Sequence, residues 1–533
     1  MAEKTIKYLV KSGHALPIWT AGDAVYADKF SIDLGVNAKL LMENAGKAVA
    51  DAVLDIAKKV AEKPRILVFV GPGNNGADAV VAARHLLAHG LPISLFLVQE
   101  QESKNAELQY QIALIEEACA KLGGENAFIN KIDGQENFVI KHKPSLTIIV
   151  DGIFGAGLKR APSGLMHSAI AAINDYKETH GSQCAVVSVD VPSGLTLEAC
   201  VPMGVCIKAD KTITFGHLKR VHISEPTKAF CGQCESKNIG LFSDRPATNF
   251  WLARRKAPLG LFLPVKKSAH KGNFGHVLVL EGHDNFVGAS RMSALAALRV
   301  GAGLVTIATQ TPSQILPIDH AEFMHRPVET LSDEFLRKID SLVIGPGLSQ
   351  EDAYQERALH LLNRLKHPVR LVVLDADGLG LLHNKSLRLK NTCIIATPHS
   401  KEAARLLGCD VSEVERDRFF AIEELAKIQP GQENQVIWVL KGATTLVREH
   451  GGTIFALRGD LPVLASGGSG DVLSGTIAGL AKQTPCPLSA ALLAASLHIE
   501  AGKTLSKSIF KGSLASELAD ILPVLTKDRP VID

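Results

Sequence analysis

The feature that most constrains this chain is a repeated order of short, wholly apolar runs that stop at glycine or aspartate and give way to helical stretches. Ile66 to Val70 runs into Gly71-Pro72-Gly73, Leu146 to Val150 into Asp151-Gly152, and Val186 to Val189 into Asp190. Ile93 to Val98 and Ile213 to Phe215 are further runs, with helices expected over Leu40 to Val53 and Asp78 to His89. Strands that are apolar on both faces do not suit a sheet with one wet side. They predict parallel strands covered by helices above and below. A second series follows: Val277 to Leu280, Leu304 to Ala308, Leu342 to Ile344, Leu371 to Leu374, Ile394 to Ala396, Val436 to Leu440 and Thr445 to Val447, with an Ala-rich helix over Ser290 to Val300. Between the series, Ser224 to Lys271 carries Pro226, Pro246, Pro258 and Pro264 and the basic cluster Arg254, Arg255 and Lys256. The reading is α/β throughout, with domains over 1–245 and 246–533 and no internal repeat relating them.

Composition removes several function classes. Hydrophobic residues are 46% and charged residues 21% of 533 residues, which excludes a mainly disordered chain and supplies two cores. Aromatic residues are only 5% and the net charge is +3, so neither a stacking platform nor a basic stripe for nucleic acid is present. The cysteine count, nine, is odd, and the one CxxC, Cys231 and Cys234, lacks a second pair for zinc. The start, MAEKTIKYLVKSGHALP, has no apolar h-region, and no apolar run reaches the ~18 residues of a membrane helix. The expectation is a reduced, cytoplasmic enzyme with no membrane or nucleic-acid partner.

Two segments carry chemistry. In an open parallel sheet, ligands bind beyond the carboxyl ends of the strands. Three such ends are polar here: Gly71-Pro72-Gly73-Asn74-Asn75-Gly76-Ala77-Asp78, Asp151-Gly152-Ile153-Phe154-Gly155-Ala156-Gly157-Leu158, and Asp190-Val191-Pro192-Ser193-Gly194. Each alone is ordinary turn chemistry. Together they suggest a site in which Asn75, Asp151 and Ser193 offer oxygen ligands to a hard monovalent cation. The second segment is Ala465-Ser466-Gly467-Gly468-Ser469-Gly470-Asp471, ahead of a helix expected from Val472 to Leu480. Its backbone N–H groups can form an anion hole at a helix start, with Asp471 beside it as a base kept ionised by the helix dipole. A capped Gly-rich loop is the plain alternative. Lys441-Gly442-Ala443-Thr444-Thr445, after an expected strand, favours a nucleotide site, although the P-loop pattern is absent.

GPGNNGAD, DGIFGAGLKR and DVPSG, with the upstream LLMENAG, resemble the YjeF N-terminal domain, the NAD(P)H-hydrate epimerase, over roughly Ile18 to Leu241. The resemblance implies a Rossmann-like domain that interconverts R and S hydrated NAD(P)H around a potassium ion. By position, Asn74, Asn75, Gly76, Ala77 and Asp78 would contact substrate, as would Gly155, Ala156, Gly157, Leu158, Lys159, Arg160 and Ala161. Asn75, Asp151 and Ser193 would hold potassium, and Asp190 would contact the hydrated nicotinamide as acid or base. Ala77, Ala79 and Ala156 stand where the family has Gly, Gly and Thr, and the added methyls are expected to crowd the loop.

HKGNFGHVLVL, RVGAGLVTIAT, LVIGPGLS, VLDADGL, TPHSKEAARLLG, VLKGATT and ASGGSGDVLSG resemble, in order, the YjeF C-terminal domain, a ribokinase-like NAD(P)H-hydrate dehydratase, over about His270 to Leu522. That implies phosphorylation of the C6 hydroxyl of the S hydrate by ADP or ATP, followed by loss of phosphate. Ala289, Gly347 and His399 would contact the substrate, and Lys441, Gly442, Ala443, Thr444, Thr445 and Gly470 the nucleotide. Asp471 would be the base, and magnesium would meet the phosphoryl charge. Departures are Glu281 for a Gly, Ser400-Lys401 for Pro-Gly, and Asp460 to Leu464 for Asn-Pro-Gly-Leu. The joint resemblance is to a bifunctional nicotinamide nucleotide repair enzyme, and its members imply a homo-oligomer. The rivals are a ribokinase-like small-molecule kinase with a non-catalytic first domain, a binding or scaffold role for that domain, and, more remotely, a dehydrogenase.

Overall fold

A computed structural model describes the chain except for residues 100–102, 123–126, 133–145, 198–200, 253–255, 311–321, 366–368, 385, 388, 390–391, 431–433 and 533. Arg254 and Arg255 of the basic cluster lie outside the described residues. The chain divides into two compact units, Pro17–Ala247 and Met1–Leu16 together with Thr248–Asp533. The amino-terminal helix Ala2–Lys11 is grouped with the second unit because its inner face is tied there: Leu9 is fully buried, and Thr5 Oγ1 lies 2.8 Å from Ser489 Oγ.

The first unit is built on strands β1 (Arg65–Val70), β2 (Ile93–Val98), β3 (Ala127–Ile132), β4 (Thr147–Gly152), β5 (Cys184–Val189), β6 (Lys211–Phe215) and β7 (Gln233–Lys237). They form one parallel sheet in the order β3-β2-β1-β4-β5-β6-β7. The order reverses between β1 and β4, which opens a crevice beyond their carboxyl ends. Helices α1 (Ala38–Ala57) and α2 (Asn74–Ala88) pack together over one face. Gly46, in the LLMENAG stretch, permits that approach, since a Cβ there would stand 2.4 Å from Val81 Cβ.

The second unit carries β8 (Asn249–Leu252), β9 (His276–Leu280), β10 (Leu304–Thr309), β11 (Met324–Pro327), β12 (Ser341–Ile344), β13 (Leu371–Leu374), β14 (Cys393–Ala396), β15 (Val436–Leu440), β16 (Thr444–Glu449) and β17 (Ile454–Arg458). The order is β11-β10-β9-β12-β13-β14-β15-β16-β17-β8. Strands β11 through β15 are parallel, β15, β16 and β17 form antiparallel pairs, and β8 joins β17 in parallel. The helices that matter for the site are α3 (Val287–Arg299), α4 (Ser400–Leu407), α5 (Ser469–Gly479) and α6 (Pro487–Leu505). The fold is α/β with a Rossmann-like first unit and a ribokinase-like second unit.

Two helix starts differ from expectation. α2 begins at Asn74 rather than Asp78, and α5 at Ser469 rather than Val472. In each case a glycine supplies the N-cap, Gly73 in extended backbone and Gly468 at φ +85°, so residues that read as turn enter the first helical turn. Ala77 and Ala79 also differ from expectation. Both are fully buried on α2 and join the main apolar cluster of the unit, which absorbs their methyl groups.

Candidate active sites

In the first unit, the ends of β1, β4 and β5 meet at the reversal of strand order. Asp151 closes β4, is fully buried, and is satisfied by short bonds. Ser188 Oγ donates to Oδ2 at 2.8 Å, Ser193 N donates to Oδ2 at 2.9 Å, and Ser193 Oγ donates to Oδ1. Burial raises the Asp151 carboxyl, and the Ser193 and Ser188 donors oppose that rise. Asn75, in the first turn of α2, donates through Nδ2 to Phe154 O at 2.8 Å, and Phe154 N donates to Ser193 Oγ at 2.8 Å. Asn75, Asp151 and Ser193 thus share one oxygen-lined knot around Phe154. Gly155 seals it, since a Cβ there would lie 2.8 Å from Asn75 Oδ1. Gly76 must stay bare for the same loop to close, because its Cβ would fall 2.0 Å from Gly71 O. Ala156, Gly157, Lys159, Arg160 and Ala161 form an exposed rim, with Leu158 half-buried.

Asp190 leaves β5 in the left-handed region at φ 59°, a conformation that a non-glycine residue holds only when its surroundings impose it. Its Oδ1 accepts from Thr214 Oγ1 at 2.8 Å and Lys219 Nζ at 2.6 Å, and its backbone oxygen lies 2.9 Å from His222 Nε2. Burial raises Asp190, but the Lys219 charge and hydrogen bond outweigh it and hold the carboxyl below its ordinary value. Asp78 moves the opposite way. Burial, then the charges of Asp190 and Asp28, push it well above the carboxylate range. The proton affinities of the two carboxyls are thus pushed apart, the relation expected between acid and base partners.

In the second unit, the first turn of α5 presents Gly470 and Asp471, whose N–H groups belong to the set no helical carbonyl can reach. Ser293 Oγ on α3 donates to Asp471 O at 3.0 Å, which ties this turn to the helix bearing Ala289. Lys441, at the end of β15, donates to Asp375 Oδ1 at 2.6 Å, and Ser474 on α5 donates to Asp375 Oδ2 at 2.6 Å. Glu402 Oε2 lies 3.9 Å from Lys441 Nζ. A Cβ on Gly470 would stand 3.3 Å from the same ammonium group. The helix dipole does not keep Asp471 at an ordinary value: burial, then the Asp375 charge, raise it to about 7 against the pull of Lys441. Lys441 is itself raised, because Asp375, Glu402 and Asp471 outweigh its burial.

Gly347, at φ +68°, backs onto Phe286 and accepts from His283 N at 2.8 Å, beside the start of α3. His399 is the N-cap of α4: its Nδ1 accepts from Lys401 N at 3.1 Å and Glu402 N at 3.3 Å, and the Nε2 of this half-exposed ring lies 3.4 Å from Glu402 Oε1. The Lys441 to Thr445 turn depends on Arg418, a residue that no motif singled out. Arg418 Nη2 donates to Lys441 O at 2.9 Å and Leu440 O at 3.3 Å, and it fills the space a side chain on Gly442 would need, 2.4 Å from that Cβ position. Asp375 and Glu402 were likewise unassigned by sequence. The VLDADGL and TPHSKE segments hold them, but only the adjacency of β13, β14 and β15 brings them to Lys441.

Comparison with known proteins agrees with this division. The family model for YjeF-related protein N-terminus matches residues 38–221, and the one for NAD(P)H-hydrate dehydratase matches 277–524. Bifunctional NAD(P)H-hydrate repair enzymes are similar along most of the chain. The one from Moorella thermoacetica is 34% identical over 92% of this chain and 92% of its own length, and that from Escherichia coli is 33% identical over 98% and 96%. Among solved structures, the ADP/ATP-dependent NAD(P)H-hydrate dehydratase from Bacillus subtilis, co-crystallised with ATP/Mg2+, shares 29% identity, covers 50% of this chain and 95% of its own, and gives a TM-score of 0.44. With identity above 30% sustained over nearly the whole length, this chain belongs to the family of bifunctional NAD(P)H-hydrate repair enzymes.

Proposed function

We propose that Pro17–Ala247 exchanges the R and S configurations at C6 of hydrated NADH and NADPH, and that the second unit returns the S hydrate to NAD(P)H at the expense of ADP, with ATP as the alternative. The supporting observation is the juxtaposition in one site of the first turn of α5, Asp471 and the Lys441–Asp375 pair. Asp471 takes the proton of the C6 hydroxyl as its oxygen attacks the terminal phosphorus, and with ADP the leaving group is AMP. The ring nitrogen then expels phosphate from C6, and loss of a proton from C5 restores the double bond. Hydroxide leaves poorly and phosphate leaves well, which is the reason to use a nucleotide. The Gly470 and Asp471 amides and Lys441 meet the charge on the transferring group. Ala289, Gly347 and His399 orient the hydrated dinucleotide, and Lys441 to Thr445 the nucleotide.

In the first unit, Asp190 works on the hydrated ring, and Asn74 to Asp78 with Gly155 to Ala161 hold the dinucleotide. The knot of Asn75, Asp151, Phe154 and Ser193 fits potassium: it is built of oxygen donors around one buried carboxylate. Bound there, the ion would balance the Asp151 charge and brace the loop. Magnesium would arrive with the nucleotide phosphates. Among the described residues no group of three His, Cys, Asp or Glu is placed to cage a metal, and Mg2+ commonly keeps water and phosphate ligands. Glu402 and Asp471 are the carboxylates it would face. No helix among the described residues is long and apolar enough to cross a membrane. We place the enzyme in the reducing cytoplasm, as a homo-oligomer.

The test is incubation of S-hydrated NADH with the full chain and ADP or ATP. Return of the NADH absorbance, lost in Asp471→Asn, supports the reading. A stable phosphorylated product would support the kinase alternative, which the full-length relatives do not favour.

A further inference from the structure

Lys219 sits at the wall of the first site, on a short extended segment, Leu218–Lys219, that pairs in parallel with Ile18–Trp19. Trp19 closes over the preceding turn: a Cβ on Gly216 would lie 2.3 Å from the indole, and the His217 ring stands edge-on to it at 5.0 Å. The lysine side chain is 3% exposed. Its ammonium group has three protons to donate, and the structure supplies three acceptors: Asp190 Oδ1 at 2.6 Å, Thr214 Oγ1 at 2.5 Å and Phe215 O at 3.0 Å. No proton is left over for a substrate, so whatever Lys219 contributes must pass through Asp190.

The bonds on Asp190 are arranged to match. Lys219, Thr214 and, at 3.4 Å, the Phe215 N–H all fall on Oδ1, and among the described residues none falls on Oδ2. His222 fixes the backbone. Its Nδ1 accepts from Lys219 N at 3.0 Å, so its Nε2 carries the proton and donates to Asp190 O at 2.9 Å. That imidazole is neutral near pH 7, since burial lowers it to about 4. The other groups whose charge reaches Asp190 are carboxyls, Asp78 on α2 and Asp28 on the helix Ala21–Asp33. Lys219 is therefore the cation that balances Asp190.

We propose that Lys219 is a positioning residue of the epimerase site, which pins one carboxylate oxygen of Asp190, keeps the group ionised and reserves the other oxygen for the hydrated ring. This rests on Asp190 being the acid/base group, and the two ideas separate experimentally. R-to-S exchange of hydrated NADH is followed in the full chain from pH 5 to 9, with ADP-dependent dehydration of the S hydrate as the internal control. Asp190→Asn should abolish exchange at every pH; if it does not, the base assignment itself fails. Lys219→Met should bring the acid limb of exchange up to about pH 7, roughly three pH units or more above its wild-type position, with a loss of about tenfold at pH 6 that recovers toward pH 9, and dehydration unchanged. Lys219→Arg should return the limb toward its original position. The same loss at every pH, or no loss, would overturn the proposal. Should Lys219→Met fail to fold, Thr214→Val removes one bond from each partner and decides. A smaller upward displacement of the limb supports the proposal, and a superimposable profile overturns it.

Discussion

Glu281→Gln is the most informative stability change, because Glu281 is a fully buried carboxyl just after β9 with one oxygen, Oε2, that meets no hydrogen-bond partner among the described residues. Ser290 Oγ reaches the other oxygen at only 3.4 Å. Burial raises the group from 4.5 to about 7, against the opposing charge of Arg291 and the Ser290 bond. The sign follows from linkage. Below pH 4.5 both folded and unfolded chains hold the proton. Between 4.5 and 7 the unfolded chain releases it while the folded chain keeps it, so stability falls as pH rises, and above 7 the loss is complete. A shift of that size corresponds to at most about 3 kcal/mol, at about 1.4 kcal/mol per pH unit. Glutamine keeps the shape and has no proton to lose. Its amide N–H inherits the unpaired position, which costs about 1–3 kcal/mol at every pH and cancels when two pH values are compared. The stability difference between variant and wild type should therefore swing toward the variant by about 2.5 kcal/mol from pH 5 to pH 8. Hydrogen exchange of the β9 amides, measured side by side at each pH, reads that unit without requiring the whole chain to unfold in one step. Parallel pH profiles for the two proteins would refute the assignment of a buried, proton-retaining carboxyl.

Three further outcomes follow from the sites. ADP-dependent dehydration by the wild type should rise with pH through about 7, as Asp471 loses its proton, and the acid limb of kcat/KM is the measurement. Gly76→Ala places a Cβ 2.0 Å from Gly71 O, which the loop cannot accommodate; R-to-S exchange should be lost and the first unit weakened by about 1–3 kcal/mol, with dehydration retained. Arg418→Ala strips the donors from Leu440 O and Lys441 O. The nucleotide KM should rise roughly tenfold, equivalent to about 1.4 kcal/mol, with less effect on the KM for the hydrated dinucleotide.

The interior strands were legible because they are apolar on both faces: β2, β13 and β15 have the bounds that the apolar runs predict. Edge strands were not. β7 reads Gln-Cys-Glu-Ser-Lys and β11 Met-His-Arg-Pro, and an edge carries polar residues that a search for apolar runs passes over. The sites divide the same way. Asp471 and Lys441 lie in local Gly-rich segments that carry their own signal. Lys219, Asp375, Glu402 and Arg418 matter through partners 29, 66, 39 and 23 positions away, and nothing local marks them. Glu281 was visible only as a departure from glycine; that it is buried, with Oε2 unmatched among the described residues, is a property of the packing.

Both units set a lysine 2.6 Å from an aspartate, yet to opposite effect. In the first, the lysine binds the proposed acid/base group, Asp190, directly and holds it low. In the second, Lys441 binds Asp375 instead, and Asp375 adds its negative charge to the burial that lifts Asp471 to about 7. The second arrangement suits a base that must take a hydroxyl proton near neutral pH, since too weak a base would be ionised but ineffective. Asp375→Asn tests this. Removing that charge, and freeing Lys441 to face Asp471, should lower the Asp471 carboxyl, so the acid limb of dehydration moves to lower pH. The plateau rate should fall at the same time, because the base is weaker. An acid limb that stays near pH 7 in this variant would show that Asp375 does not set the proton affinity of Asp471, and that burial alone does.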